Sequence, residues 1–86
     1  MELKELIDSL PMQICIDKSY GRYYCYLTII KDEDGYNVDY QYDEPYEGPS
    51  PITNTFIDKD LSVALNKMKE ELEKLRKEGV LIKEKY

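Results

Sequence analysis

The most distinctive chemistry of this sequence lies in residues 32–47, where acidic and tyrosine side chains are interleaved. The stretch contains seven of the 18 acidic residues and none of the 12 basic ones, which leaves 11 acids against 12 bases elsewhere. The net charge of −6 therefore comes entirely from this stretch. Its acids are Asp32, Glu33, Asp34, Asp39, Asp43, Glu44 and Glu47, and its tyrosines are Tyr36, Tyr40, Tyr42 and Tyr46.

Two interpretations of this acidic stretch are open. In the structural one, Tyr40 and Tyr42 belong to the core, and the acids keep the protein soluble and protect a sheet edge from aggregation. In the functional one, the acids and tyrosines form an anionic surface that binds a basic protein such as a toxin or nuclease. In its strongest form, the acids imitate the phosphates of a nucleic acid. Direct nucleic-acid binding is not expected, because it requires a basic surface.

The residue types present disfavour a catalytic function. The sequence has no histidine, so it lacks Ser-His-Asp and Cys-His arrangements and the commonest general base. It has neither glycine-rich phosphate-binding motif, and a domain of this size offers little cleft for paired carboxylates. Asp32–Gly35 suggests calcium, but Tyr36 and Asn37 stand where an EF-hand loop needs an acid and a glycine. We therefore expect a non-enzymatic protein without a cofactor or metal.

Length and cysteine content indicate one small intracellular domain. Eighty-six residues provide for a single core. The acidic N-terminus does not resemble a secretory signal, and no stretch approaches the roughly 20 apolar residues of a membrane span, so we expect a cytoplasmic protein. The two cysteines, Cys15 and Cys25, are too few for a disulfide framework. We expect both to remain free.

Hydrophobic periodicity predicts an α+β fold. A three-stranded antiparallel sheet in the order 1-2-3 carries a short N-terminal and a long C-terminal helix on one face. Asp58 or Asp60 caps the second helix and Gly79 ends it. The predicted ranges are a helix at 2–10, strands at 12–17, 22–31 and 36–43, a loop at 44–55 and a helix from 58 or 60 to 78, with 80–82 as a candidate short final strand.

The hairpins determine which residues share a face of the sheet. For the second hairpin, a two-residue turn at Asp34–Gly35 and a four-residue turn over 32–35 place the same residues on each face of the sheet. For the first hairpin, a four-residue turn over 18–21 places Asp17 opposite Arg22. The face toward the helices then contains Met12, Ile14, Ile16, Tyr23, Cys25, Leu27, Ile29, Val38, Tyr40 and Tyr42. The other face displays Gln13, Cys15, Tyr24, Tyr26, Thr28, Ile30, Asn37, Asp39 and Gln41. The two cysteines therefore point to opposite faces.

The sequence resembles two families of toxin-neutralising proteins. The acidic hairpin Asp32–Tyr36, the strand after it and the helix start Leu61-Ser62-Val63-Ala64-Leu65 resemble HicB-type antitoxins, which have a partial ribonuclease-H-like fold. This resemblance covers about residues 23–79. Residues 37–44 resemble the tyrosine- and aspartate-rich strand of YezG-type immunity proteins. Both resemblances imply an acidic protein that neutralises a toxin.

These observations predict a non-catalytic inhibitor of the antitoxin, immunity or phage anti-defence type, which neutralises a basic protein partner. The alternative is a small accessory or ligand-binding domain that uses the open sheet face, and a homodimer through that face is a further hypothesis. No membrane partner is expected. The candidate partner-binding residues are Asp32, Glu33, Asp34, Tyr36, Asp39, Asp43, Glu44, Tyr46 and Glu47 of the acidic stretch, and Tyr24, Tyr26 and Ile30 of the open sheet face.

Overall fold

A computed structural model describes residues 2–19 and 21–86. The fold is α+β, with six antiparallel strands and two helices in the described residues. The elements are α1 (Leu3–Asp8), β1 (Gln13–Lys18), β2 (Gly21–Asp32), β3 (Gly35–Glu44), β4 (Gly48–Pro51), β5 (Phe56–Asp58), α2 (Leu61–Lys77) and β6 (Leu81–Lys85). The strand order is β4-β3-β2-β1-β6. The short strand β5 pairs with residues 36–38 of β3, whereas β4 pairs with residues 41–44. No helix in these residues is long and apolar enough to cross a membrane.

The predicted three-stranded sheet is wrong, because three short strands extend both of its sides. β4 lies in the segment 44–55 that was predicted to be a loop, despite Pro49 and Pro51. The N–H of Ile52 donates to the Tyr40 carbonyl oxygen (2.8 Å), so the even-numbered residues of this strand direct their N–H groups toward β3. The missing N–H groups of the two prolines would point away from β3, which is how an edge strand tolerates proline.

The predicted register of the three long strands is confirmed. Leu27 pairs with Tyr40 and Ile29 with Val38, so these four side chains share a face. This register is the one that the four-residue turn over 32–35 predicts, extended by one pair to Asp32 and Gly35, so the turn itself is Glu33–Asp34. The alternative two-residue turn at Asp34–Gly35 is wrong, because it would pair Leu27 with Tyr42. The predicted turn at 18–21 includes Tyr20, which lies outside the described residues. Asp17 pairs with Arg22 as predicted.

The core lies between the helices and the predicted face of the sheet. Ile14, Ile16, Val38 and Tyr40 are fully buried there, and Leu27 and Ile29 pack against them. The Tyr40 hydroxyl donates to the Pro11 carbonyl oxygen (2.7 Å), and burial raises the pKa of Tyr40. From α2, the buried side chains are Ala64, Leu65, Met68, Glu71 and Leu72. Asp60 caps this helix by accepting the Ser62 N–H (3.0 Å), which is one of the two predicted caps.

Residues 52–55 leave the edge of the sheet between β4 and β5, and three hydrogen bonds that involve side chains hold them in place. The Thr53 hydroxyl oxygen accepts the Tyr40 N–H (3.1 Å), in place of a strand carbonyl. The Thr55 hydroxyl donates to Asp39 (2.9 Å), and the Asn54 N–H donates to Glu71 (3.2 Å). Two buried carboxylates, one on the sheet and one on α2, therefore anchor this segment.

Both cysteines are free thiols, as predicted. Cys25 belongs to the core under the helices, where burial raises its pKa to about 11. Cys15 points to the opposite face but is buried rather than displayed. Cys15 is buried because β6 pairs along β1, which places Cys15 between Tyr24 and Lys83 inside the sheet.

We expect neither thiol to react with DTNB at pH 8 within minutes in the native protein. Both side chains are buried, and the raised pKa of Cys25 keeps it protonated at that pH. Both thiols should react once urea unfolds the chain, and the intact mass should show no loss of two hydrogens. One fast-reacting thiol in the native protein would contradict the burial described here.

Candidate protein-binding surface

The face of the sheet opposite the helices carries a row of half-exposed apolar side chains on β2. Tyr24, Tyr26 and Ile30 are 51, 57 and 50% exposed, as expected for the open face. The Tyr26 hydroxyl accepts a hydrogen bond from the Gln13 amide (3.3 Å). Ile30 pairs with Asn37, and Ile57 of β5 pairs with Asn37 from the other side and is 49% exposed. We call Tyr24, Tyr26, Ile30 and Ile57 the tyrosine face.

Asp39 lies on this side of the sheet but is only 5% exposed, so the prediction that it is displayed on the open face is wrong. One of its carboxylate oxygens accepts the Thr55 hydroxyl, and the other is buried without a hydrogen-bond partner among the described residues. The cause is the segment 52–55, which brings Thr55 over the strand. Strand alternation gives no signal for this burial, because Asp39 lies between the core residues Val38 and Tyr40 and is therefore assigned to the opposite face.

The remaining acids of the stretch form two separate clusters. Asp32, Glu33 and Asp34 form the tip cluster at the β2–β3 turn, whereas Asp43, Glu44 and Glu47 form the loop cluster at the other end of β3. The ten residues of β3 separate them by about 30 Å at the usual rise per residue of a strand. Charges interact over roughly 8 Å at physiological salt. The acidic stretch is therefore not one continuous surface.

The tip cluster is partly held by its own hydrogen bonds. Asp32 accepts the Asp34 N–H (2.8 Å) and the Asn37 side-chain amide (2.6 Å). Glu33 and Asp34 are exposed. Tyr36 is half-buried, and the Lys31 ammonium lies 5.5 Å from the centre of its ring. The tip therefore offers exposed carboxylates, while Tyr36 is engaged within the protein.

The loop cluster is bonded internally. The Tyr42 hydroxyl donates to Glu44 (2.7 Å), which raises the pKa of Tyr42 to about 12. The Glu44 and Glu47 carboxyl groups influence each other, which lowers the pKa of Glu44 and raises that of Glu47, so Glu47 is the first of the two to take up a proton. Tyr42 also packs edge-on against Tyr23, with ring centres 4.7 Å apart. Tyr46 is 99% exposed and contacts little of the protein.

Two lysines of β6 add a basic edge to the open side of the sheet, and sequence reasoning missed them. Lys83 pairs with Cys15 and Lys85 with Gln13. Together with Tyr24 they line a shallow depression of about 330 Å³. The alternation of residues 82–85 was the available signal, but the prediction ended the strand at 82. On the other side of β6, Glu84 pairs with Arg76 of α2, which lowers the pKa of Glu84.

The tyrosine face and the two acidic clusters are surfaces that another protein could contact. In the part of the chain that the structure describes, no group of three or more cysteine, aspartate or glutamate side chains is placed to hold a metal ion. Comparison of the chain with protein-family models, curated proteins and solved structures finds no match. The resemblances to HicB-type antitoxins and YezG-type immunity proteins therefore stay predictions, and the function has to be argued from the surfaces described above.

Proposed function

We propose that this chain is a non-catalytic inhibitor that binds and neutralises a basic protein, such as a toxin or nuclease. In this proposal the tyrosine face makes the central contact and the tip cluster adds charge. The observation that carries it is that Tyr24, Tyr26 and Ile30, each about half exposed, lie along one strand on the sheet face that the helices leave uncovered. Antitoxins, immunity proteins and phage anti-defence proteins are the functional types that this proposal includes.

The side chains of the tyrosine face suit a protein interface. Tyrosine brings a large, rigid contact area and a hydroxyl that remains compatible with water. Contiguous exposed apolar groups on a small soluble protein mark interaction sites. Interfaces concentrate their binding energy in a few central aromatic residues. Tyr24 and Tyr26 are the residues we expect to have this role.

The position of the tip cluster supports a basic partner. Asp32 lies two residues beyond Ile30 on the same strand and the same side of the sheet. A partner that covers the tyrosine face therefore reaches the exposed carboxylates of Glu33 and Asp34. Opposite charges at the rim of an interface mainly accelerate association. The burial of Asp39 and the distance between the two acidic clusters disfavour imitation of a nucleic-acid backbone, so we do not propose it.

The shallow depression beside Tyr24 favours a second candidate function, a small accessory domain that binds a ligand. Lys83 and Lys85 at its rim suit an anionic group, and Gln13 offers an amide. Substitution of both lysines separates the two functions. It should abolish ligand binding in this second case, and it should leave the binding of a basic protein intact or strengthen it.

The test begins with capture of a partner from lysate and continues with kinetics on the purified pair. Replacing Tyr24 and Tyr26 with alanine should weaken binding by about 1,000-fold, since each central aromatic residue of an interface contributes about 2 kcal/mol. The loss should come mainly from faster dissociation. The pair Glu33→Gln and Asp34→Asn should slow association and reduce its salt dependence. Partner activity should fall to zero at a one-to-one ratio.

The loop cluster provides a charge-matched control. The pair Asp43→Asn and Glu47→Gln removes the same two charges at the far end of β3, and together with Tyr46→Ala it should leave the kinetics unchanged. Circular dichroism should confirm that all variants fold. If the loop-cluster and Tyr46 variants weaken binding while the alanine variants of Tyr24 and Tyr26 do not, the acidic loop is the interface and the tyrosine face is not.

A further inference from the structure

The strand β2 is longer than the strand beside it. β1 pairs only with residues 21–26 of β2, whereas β3 pairs with residues 26–32 on the other side. The last contact with the β1 segment is the Leu27 N–H, which donates to the Met12 carbonyl oxygen (3.0 Å). Pro11 then leaves the sheet, and its carbonyl oxygen binds the core residue Tyr40. No described strand lies beside the outer side of residues 28–32, which we call the β2 edge.

The backbone of the β2 edge has unpaired hydrogen-bonding groups. Alternate residues of an antiparallel strand direct their N–H and C=O groups to opposite sides. Because Leu27 points toward β1, Ile29 and Lys31 point outward on the same side. Within residues 2–19 and 21–86, no hydrogen bond from another residue reaches these groups. An exposed edge with such groups is a template for a further strand.

The length of this edge matches a second copy of itself. The edge is bounded by Met12 at one end and by the Glu33–Asp34 turn at the other, so a strand of five residues fits. Residues 28–32 of a second molecule, placed antiparallel with residue 30 opposite its equivalent, fill it completely. The second molecule's turn then comes beside Met12, whose side chain is 50% exposed. A long strand without a turn at this point would collide with residues 11 and 12.

We propose that two copies of this chain pair antiparallel along the β2 edge. Ile29 of each copy exchanges backbone hydrogen bonds with Lys31 of the other, and the two Ile30 side chains lie directly opposite. Thr28 meets Asp32, so no like charges are placed opposite each other. The interface is isologous, as in most homodimers. The two sheets become one, with both tyrosine faces on the same side. This proposal goes beyond the proposed function and does not depend on it.

The first experiment is a cysteine cross-link. Side chains directly opposite at a non-hydrogen-bonded pair have Cβ atoms about 4.5–5.5 Å apart, so the variant Ile30→Cys should form a covalent dimer under mild oxidation. The control is Tyr26→Cys, which is on the same face and at least as exposed but lies beside β1. It should stay monomeric on a reducing-agent-free gel. Equal cross-linking of both variants would indicate a dimer through the open sheet faces instead and would overturn the proposal.

The second experiment uses sedimentation of the full chain over a range of concentrations. The wild type should show a monomer–dimer equilibrium, Lys31→Pro should be monomeric because it lacks the outward N–H, and Lys31→Ala should dimerise like the wild type. Circular dichroism reports whether the proline variant folds, and the Ile30→Cys cross-link decides the matter if it does not. A wild type that is monomeric up to about 1 mM, without cross-linking of Ile30→Cys, contradicts the proposal.

Discussion

Replacing Gly35 with alanine is expected to destabilise the protein by roughly 3 kcal/mol or more, a large part of the 5–15 kcal/mol of a typical domain. The φ angle of Gly35 is +123°, a region that residues with a side chain rarely adopt. A Cβ atom here would also lie 2.5 Å from the backbone oxygen of Asp58 and 2.8 Å from the nitrogen of Lys59. Since both are backbone atoms, β5 and the start of α2 would have to move.

Gly48 is the matched control for this prediction. Its φ angle is +80°, but nothing lies within 4 Å of the Cβ that alanine would add. Gly48→Ala should therefore cost only the conformational part, about 1–2 kcal/mol. Urea denaturation of both variants measures the difference. Equal losses would mean that contact with β5 contributes nothing, and that the glycine is required by the turn alone.

Replacing Tyr40 is expected to have the other large effect, with Tyr40→Ala losing about 3–5 kcal/mol and Tyr40→Phe about 1–3 kcal/mol. The alanine variant leaves a cavity between the sheet and α2, because the tyrosine side chain is fully buried. The phenylalanine variant keeps the packing but removes the donor to the Pro11 carbonyl oxygen. This bond ties the segment between α1 and β1 to the centre of the sheet.

Tyr42→Phe controls for the loss of a hydroxyl. Tyr42 is also a tyrosine of β3, but its hydroxyl binds the partly exposed Glu44. Water can replace that donor, so this variant should lose less than about 1 kcal/mol. Thermal and urea unfolding of the three variants test the order of effects. If Tyr40→Phe is no less stable than Tyr42→Phe, the buried bond to Pro11 does not contribute to the free energy of unfolding.

The candidate site was predicted in part. Tyr24, Tyr26 and Ile30 were placed correctly on the open face, because strand alternation and one hairpin register determine the side of every residue in β2. Ile57, Lys83 and Lys85 were not assigned to it, since their positions depend on strands that the sequence did not reveal. The exposure predicted for Asp39 was wrong for the same reason: the Thr55 segment that covers it was predicted to be part of a loop.

The sequence by itself determined the faces of the three long strands and the unpaired state of the two thiols, because these follow from period-two alternation and turn length. Only the tertiary structure decided where the short strands β4, β5 and β6 lie. Each has five residues or fewer, and Pro49 and Pro51 obscure the first of them. Such strands form because they hydrogen-bond to the free backbone groups of β3 or β1. Their own residues do not reveal which segment will make those bonds. The tertiary structure likewise decided that the acidic stretch forms two distant clusters, because the extended strand β3 separates the acids at its two ends.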